Sequence, residues 1–401
     1  MRSTAFIIAV VIMAVNLVPH SAIADEIDEQ GEADIDITIQ NNDIPLQNIP
    51  NITAKCGIGV DSATGRILFE KNAYSKMEMA STTKIMTGII AIESGNLDDI
   101  VEISNKAVRV SGSEIGLKKG EKWILRSLLY GLLLSSGNDA AIAIAEYIAG
   151  SVDKFIEMMN NKAAEIGALN TCFKSPHGLD IAGHYSTAYD LSVITRYAFN
   201  NPIFNEIVCS KQSTVKAPTG NISMYNTNEM LTRYKGADGV KTGYTGKAGR
   251  CLVTSATRDN MRIVSVVLGC SSRNNRAADS SKILNYCFAN YNLYTLINKN
   301  EPIGEMYVAK GTDKYCAVKI ADTIKYVLTE DEVDRLEIKY GLPDKLEAPI
   351  KAGQKIGEIL FCLEDIVIGK THIVTDKSIK RKDIGYYITK FFEVWKKSLP
   401  A

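Results

Sequence analysis

The chain has 401 residues, enough for two domains, and 46% of them are hydrophobic, so ordinary buried cores can form. Lys and Arg together number 46, and so do Asp and Glu. A balanced chain of this kind reads as a soluble globular body without the basic field that a nucleic acid requires, and no nucleic-acid partner is expected.

The first residues carry an export signal. Arg2 precedes an almost unbroken apolar run from Ala5 to Leu17, and Ala22-Ile23-Ala24 supplies a small-x-small cleavage site. The run is shorter than the roughly 20 residues of a membrane span, so residues 1–24 are predicted to be a cleaved signal peptide. Residues 25–54 hold eight acids and no Lys or Arg, and they lack apolar periodicity, which predicts an acidic flexible leader.

Two strand-like runs follow, Cys56 to Val60 and Arg66 to Glu70, joined by the turn-rich Asp61-Ser62-Ala63-Thr64-Gly65, so a hairpin is expected. From Ser81 the residues Ile85, Met86, Ile89, Ile90 and Ile92 fall at helical spacing up to Gly95-Asn96. Ser81 and Lys84, within Ser81-Thr82-Thr83-Lys84, are thereby placed one turn apart on one face. Leu125 to Leu134 and Ala140 to Ile148 read as helices, and Ser135-Ser136-Gly137-Asn138 reads as the loop between them. Further helices are expected at Val152 to Ile166 and Asp190 to Phe199. Lys241-Thr242-Gly243 follows the turn signal Asp238-Gly239, which puts Lys241 at the start of a strand. Cys251 to Ala256 and Met261 to Leu268 form a second hairpin, and Ala277 to Phe288 a helix. From about Tyr294 to Thr375, short alternating runs punctuated by Gly304, Gly311, Gly341, Gly353 and Gly357 predict a smaller β-rich domain.

Three polar signatures thus sit on a helix, a loop and a strand, and each has a physical use in acyl transfer without a metal or other cofactor. A serine hydroxyl is a weak nucleophile that needs a base within hydrogen-bond reach, and Lys84 is placed to be that base if neutral. An exposed lysine, with a pKa near 10.4, is mostly protonated, but burial and a second cation lower it, and Lys241 is the natural second cation. Ser136 can relay a proton to the departing amine. Asn138 can hold Lys84 and bind a peptide carbonyl, and Thr242 can hydrogen-bond a carboxylate. The backbone N–H groups of Ser81 and Tyr244 are candidate donors to the tetrahedral oxyanion. Taken singly, a solvated helix face, a turn and a strand start explain the three signatures; their order and contexts favour a site.

With these residues the chain resembles the low-molecular-mass penicillin-binding proteins that act as serine-type D-alanyl-D-alanine carboxypeptidases. Pro176-His177-Gly178-Leu179-Asp180, Ser186-Thr187-Ala188-Tyr189-Asp190-Leu191, Asn226-Thr227-Asn228 and Ala248-Gly249 extend the resemblance over about Cys56 to Thr375. The resemblance implies an α+β fold: a transpeptidase-like domain (55–293) of antiparallel sheet flanked by helices with a helical subdomain, then a β-rich domain (294–375). It implies Ser81 as the acylated nucleophile, Lys84 as general base, Ser136 and Asn138 as the second element, and Lys241, Thr242, Gly243 and Tyr244 on the substrate-binding strand. Arg276 falls where the family has an arginine for the substrate's terminal carboxylate; the alternative is a surface charge at a helix start. Tyr244 stands where some relatives carry histidine. His177 and His184 are read as organising a loop. The implied partners are peptidoglycan stem peptides ending in D-Ala-D-Ala and β-lactam antibiotics.

In residues 376–401, Ile384, Tyr387, Ile388, Phe391, Phe392 and Trp395 share one helical face, with lysines on the rest. That pattern predicts an amphipathic helix lying in a membrane interface, on the outer face of the cytoplasmic membrane, against the alternative of a helix docked on the second domain. The eight cysteines include no CxxC pair, and mostly free buried thiols are expected rather than a disulfide framework. Three competing activities share the signatures. A class A β-lactamase needs a deacylating glutamate, and no Glu-x-x-Leu-Asn occurs between Asn138 and Lys241. A D,D-endopeptidase on cross-linked peptides runs the same reaction with a larger leaving group. A slowly turning over penicillin-binding sensor would acylate and then stall.

Overall fold

A computed structural model describes residues 48–398. The predicted signal peptide and most of the predicted leader lie outside the described residues. Its last part does not match a flexible leader: Ile52 and Ala54 are buried, and the Asp279 carboxylate accepts from Thr53 N, Thr53 Oγ1 and Ala54 N at 2.7–2.9 Å.

A five-stranded antiparallel sheet forms the centre of the first unit. Its strands are β1 (Cys56–Asp61), β2 (Ile67–Lys71), β3 (Ala237–Thr245), β4 (Gly249–Arg258) and β5 (Met261–Cys270), in the order β2-β1-β5-β4-β3. The register aligns Lys241 with Val253, Val253 with Val266, and Val266 with Ile58. Both faces are covered, which is why β4 and β5 read as near-continuous apolar runs. Val264, Val266 and Leu268 face one core, and Ile263 and Val267 face the other, the period of two that a pleated strand imposes.

Helix α1 (Lys84–Ser94) buries eight residues, of which Ile85, Met86, Ile89, Ile90 and Ala91 lie in the first core, beside α2 (Leu125–Leu133), α3 (Asn138–Ala149) and α4 (Val152–Glu165). Each large aliphatic side chain so buried contributes roughly 1.5–3 kcal/mol, before chain entropy is subtracted. Helix α5 (Ala188–Ala198) starts at Thr187, whose side chain accepts from Asp190 N. Helix α6 (Arg273–Asn290) covers the second face with Ile283, Leu284 and Cys287. It begins four residues earlier than its periodicity indicates, because Ser272 caps it and the first turn is polar. Two small pairings, Ile100–Glu102 with Lys122–Ile124 and Gln212–Ala217 with Gly220–Tyr225, have no counterpart in the sequence reading. They are too short or too polar to carry a periodic signal.

The second unit is a six-stranded sheet. It comprises β6 (Pro302–Ala309), β7 (Tyr315–Ile320), β8 (Leu336–Gly341), β9 (Leu346–Glu347), β10 (Lys355–Leu363) and β11 (Ile366–Thr375), ordered β8-β10-β11-β7-β6-β9. Its packing runs past Thr375, since Ile379 is buried and bridges to Ile350. Arg66 joins the units: its guanidinium lies over the Tyr291 and Tyr326 rings, donates to Val327 O and pairs with Glu332. A final helix, α7 (Ile384–Ser398), leaves Ile384, Tyr387, Ile388, Phe391, Phe392 and Trp395 exposed, so it is not docked on the second sheet. Among the described residues no helix is long and apolar enough to cross a membrane.

All eight cysteines are free; six are buried, Cys172 is half-buried and Cys209 exposed. Burial pushes the Cys251 thiol up to about 12 and raises Cys270 and Cys287, which keeps them protonated and inert.

Candidate active site

Three elements converge at the free edge of β3. Ser81 does not lie on an α-helix as its spacing predicts but in a 3₁₀ turn, Ala80–Thr83, that leads into α1 at Lys84. In a 3₁₀ turn the side chains at i and i+3 eclipse, so the tighter winding superposes Ser81 and Lys84 more closely than an α-helix would. Lys84 Nζ is 2.7 Å from Ser81 Oγ. The same amine is 2.6 Å from Asn138 Oδ1 and 2.9 Å from the His177 carbonyl oxygen, and the lysine is fully buried.

These three neighbours define what the amine can do. A neutral amine has two N–H donors and one lone pair. Asn138 Oδ1 and His177 O can only accept, so they occupy both donors and leave the lone pair for the Ser81 hydroxyl. The Ser81-Thr82-Thr83 hydroxyls are otherwise tied to the turn itself, Thr82 to Met79 O at 2.6 Å and Thr83 to Ala80 O at 2.8 Å.

Asn138 is not in the interhelical loop but is the first residue of α3, with Gly137 as its cap. The capping geometry directs its amide inward. Its Oδ1 meets Lys84, and its Nδ2 donates to Ser111 O at 2.8 Å. Ser136, buried beside it, adopts a left-handed backbone with φ of 62°, and Ala80, just before Ser81, has φ of 48°. Two non-glycine residues in this region, one preceding a signature serine and one a signature serine itself, carry local strain of about 1–3 kcal/mol that the surrounding packing sustains.

Lys241 lies in the middle of β3, not at its start, because the strand begins at Ala237 and runs through the Asp238-Gly239 turn signal. Its side chain is buried and donates to Thr242 O at 3.1 Å. The Thr242 hydroxyl is 2.7 Å from that of Thr227. Gly243 is packed against the serine turn so closely that a Cβ there would lie 2.9 Å from Ser81 N and 3.1 Å from Thr82 N. This contact sets the Ser81 amide beside the Gly243-Tyr244 segment, where two backbone donors are expected to converge. The Tyr244 ring is stacked under Arg250, whose guanidinium carbon is 3.8 Å from its centroid.

Arg276 is fully buried, not a surface charge. Its Nη2 reaches both Glu229 carboxylate oxygens, at 3.0 and 2.9 Å, and Arg273 Nε is 3.9 Å from the same carboxylate. Glu229 follows Asn228, whose amide donates to Gly239 O at 2.7 Å. Arg276 is therefore tied, through Glu229 and the adjoining Asn228, to β3 at Gly239.

Five residues outside the signatures complete the site. Asp139, buried at the N-terminus of α3, accepts from the N–H groups of Ile115, Gly116 and Leu117 at 3.1 Å and fixes the 111–117 loop around Asn138. Its place after the second signature was the only signal available. Asp180 accepts from Thr245 Oγ1 at 2.7 Å and joins the 177–180 loop to β3. His184 accepts from Lys174 N at Nδ1, which leaves the proton on Nε2 to donate to Thr83 Oγ1 at 2.8 Å. His177 Nδ1 likewise accepts from Leu179 N. Burial lowers His177 to about 3 and His184 to about 4, so both are neutral scaffolding near pH 7. Gly178, with φ of 97°, rests on the serine turn, where a Cβ would come within 2.0 Å of Ala80 O.

Known proteins resemble the chain over most of its length. The family profile described as D-alanyl-D-alanine carboxypeptidase matches residues 44–272, and that of the penicillin-binding protein 5 C-terminal domain matches 291–381. The chain is 33% identical over 352 residues to the D-alanyl-D-alanine carboxypeptidase DacF of Bacillus subtilis, covering 86% of this chain and 90% of that one. A D-alanyl-D-alanine carboxypeptidase from Streptomyces sp. K15 is 40% identical over 258 residues, covering 60% of this chain and 89% of its own length. Among solved structures, penicillin binding protein 5 from Haemophilus influenzae superposes with a TM-score of 0.70 at 29% identity, covering 84% of this chain and all of that one.

Proposed function

Since the chain belongs to the D-alanyl-D-alanine carboxypeptidase family, whose members form the penicillin-binding fold seen here, we propose how its own residues carry out serine-type hydrolysis of peptides ending in D-Ala-D-Ala. The chain is a serine-type carboxypeptidase of that family. The observation that carries the assignment of roles is the buried Lys84 amine, 2.7 Å from Ser81 Oγ and held by two acceptors.

Lys84 takes the Ser81 proton as Oγ adds to the carbonyl carbon of the penultimate D-Ala. The oxyanion is met by the Ser81 and Tyr244 N–H groups, at the junction of the serine turn with Gly243. Ser136 passes a proton to the departing nitrogen, the C–N bond breaks, and D-alanine leaves. Water then hydrolyses the ester and restores Ser81. Thr242, with Lys241 buried behind it, holds the terminal carboxylate, and the Arg276–Glu229 pair adds its field at that end. A β-lactam acylates Ser81 in the same way, but its leaving nitrogen stays tethered.

The experiment is release of D-alanine from a pentapeptide together with labelling by a fluorescent penicillin. Ser81→Ala should lose both, with a rate loss on the order of 10⁴-fold or more. Persistent labelling in that variant would remove Ser81 from the role given to it.

The exported location and membrane contact belong to the same reading. They are supported by the apolar N-terminal run, by the exposed apolar face of α7 and by its lysines. Full-length protein should float with anionic lipid vesicles, and a chain ending at Asp383 should not. Equal flotation of the two would refute the α7 contact.

A further inference from the structure

The sheet of the second unit has two unlike edges. At one, β9 contributes only Leu346 and Glu347, too short to offer a ladder to another chain. At the other, β8 runs six residues in unbroken register with β10, without a bulge or a proline. Among the described residues no other strand pairs with its outer side. Edges are ordinarily blunted by short strands, bulges, prolines, unpaired lysines or charges pointing inward. The lysine on this edge, Lys339, is neutralised within the strand by Glu337, 3.4 Å away.

The apolar face of the sheet also runs out to β8. Directly opposite residues of antiparallel strands share a face, and the register sets Leu336 against Leu363, Ile338 against Phe361 and Tyr340 against Ile359. Ile359 and Phe361 are buried in the core of the sheet, whereas Ile338 and Tyr340 are 44% and 56% exposed. The core is cut off at this edge instead of ending in polar residues. Glu337 and Lys339, alternating with these three, take the other face.

We propose that β8 pairs with β8 of a second copy of this chain, antiparallel about a two-fold axis through Ile338. In that register Ile338 faces its own equivalent, Leu336 faces the partner's Tyr340, and each Glu337 faces the partner's Lys339. Apolar rows then cross the joint without a break, Phe361-Ile338 meeting Ile338-Phe361 and Leu363-Leu336 meeting Tyr340-Ile359. Charge selects this register. Moving the axis to Glu337 or to Lys339 sets like charges against each other, and moving it midway between residues turns the apolar face of one copy toward the polar face of the other. This self-complementarity commits the occupant to a second copy and not to a foreign strand, and it gives the isologous contact of a two-fold dimer. Six residues a side is well below the roughly 20–30 of a standard interface, so the pairing is weak in dilute solution and fills where copies are crowded.

The test is sedimentation equilibrium of the full chain and of two variants, Glu337→Lys and Lys339→Glu. Both side chains are more than half exposed, so each variant should fold, and unchanged D-alanine release from a soluble peptide checks that. Either variant alone turns two opposite-charge pairs across the joint into like-charge pairs and should raise the dimer Kd about tenfold. An equimolar mixture of the two restores both pairs and should regain the Kd of the unaltered chain to within about threefold. Ile338→Lys, which sets two ammonium groups on the axis, should abolish the dimer. The exposed face of α7 offers another route to self-association, and that route is indifferent to all three changes. A chain still monomeric at about 1 mM, dimers unmoved by the variants, or a mixture no tighter than its components would each overturn the proposal.

Discussion

The two units use burial differently. In the first, β4 is buried along seven of its ten residues, and the same interior admits Lys84, Lys241, Arg276 and Asp139. In the second, β8 exposes all but one of its residues, and the buried polar residues are the hydroxyl-bearing Thr371 and Thr375, with no buried charged group among the described residues. Burying a charged group costs several kcal/mol unless partners surround it, so a fold does so only where the group has a task. The first unit is accordingly a reaction chamber held rigid by a large core, and the second is a support with a thin one.

The sharpest way to break the comparison is to disturb the interior of the first unit by one carbon. Gly178→Ala adds a Cβ 2.0 Å from the Ala80 carbonyl oxygen at a φ that disfavours alanine. It should cost about 2–4 kcal/mol of stability and slow penicillin acylation more than tenfold. Thermal melting and the labelling rate check both. A variant that melts and acylates normally would mean that the serine turn has slack.

The second test is pH. His177 and His184 are held below their unfolded value near 6.5, so the unfolded chain binds more protons as pH falls. Their neutral burial stabilises the fold above about pH 6.5 and is lost as pH drops toward about 4 and then 3. Each histidine contributes about 1.4 kcal/mol per pH unit within its window. His184→Gln, which keeps an acceptor for Lys174 and a donor for Thr83, should flatten the fall of Tm with acid. An unchanged slope would assign the acid sensitivity elsewhere.

The smallest effect is expected from removing the second unit. A chain ending at Asn290 loses Val327 from the second core and the Arg66 contacts, so it should melt a few degrees lower. Its D-alanine release from a soluble peptide should stay within about twofold. Loss of activity would show that the second unit shapes the site.

The sheet, the main helices and the three signatures were legible in the sequence because each rests on local periodicity or on residues close in the chain. The offsets arose where tertiary packing overrode local signals. Asp238-Gly239 reads as a turn, yet pairing with β4 extends the strand through it. Ser81 reads as helical, yet Gly178 and Gly243 press the turn into a 3₁₀ wind. The shell around Lys84 was half visible: Asn138 is polar and near, but His177 contributes a backbone carbonyl, which no side-chain pattern reveals. The fate of Arg276 was hidden too, because Glu229 is forty-seven positions away and carries no motif.

Gly178 and Gly243 both pack on the serine turn, each at a distance that excludes even a methyl group. For a target of β-lactams this has an evolutionary meaning. Natural peptide and antibiotic need the same seated serine, so bulk added at either glycine removes both reactions together. Drug-evading variants of this enzyme must therefore arise at the periphery, where leaving groups and side chains of the two substrates differ, and the walls of the nucleophile's seat are closed to them.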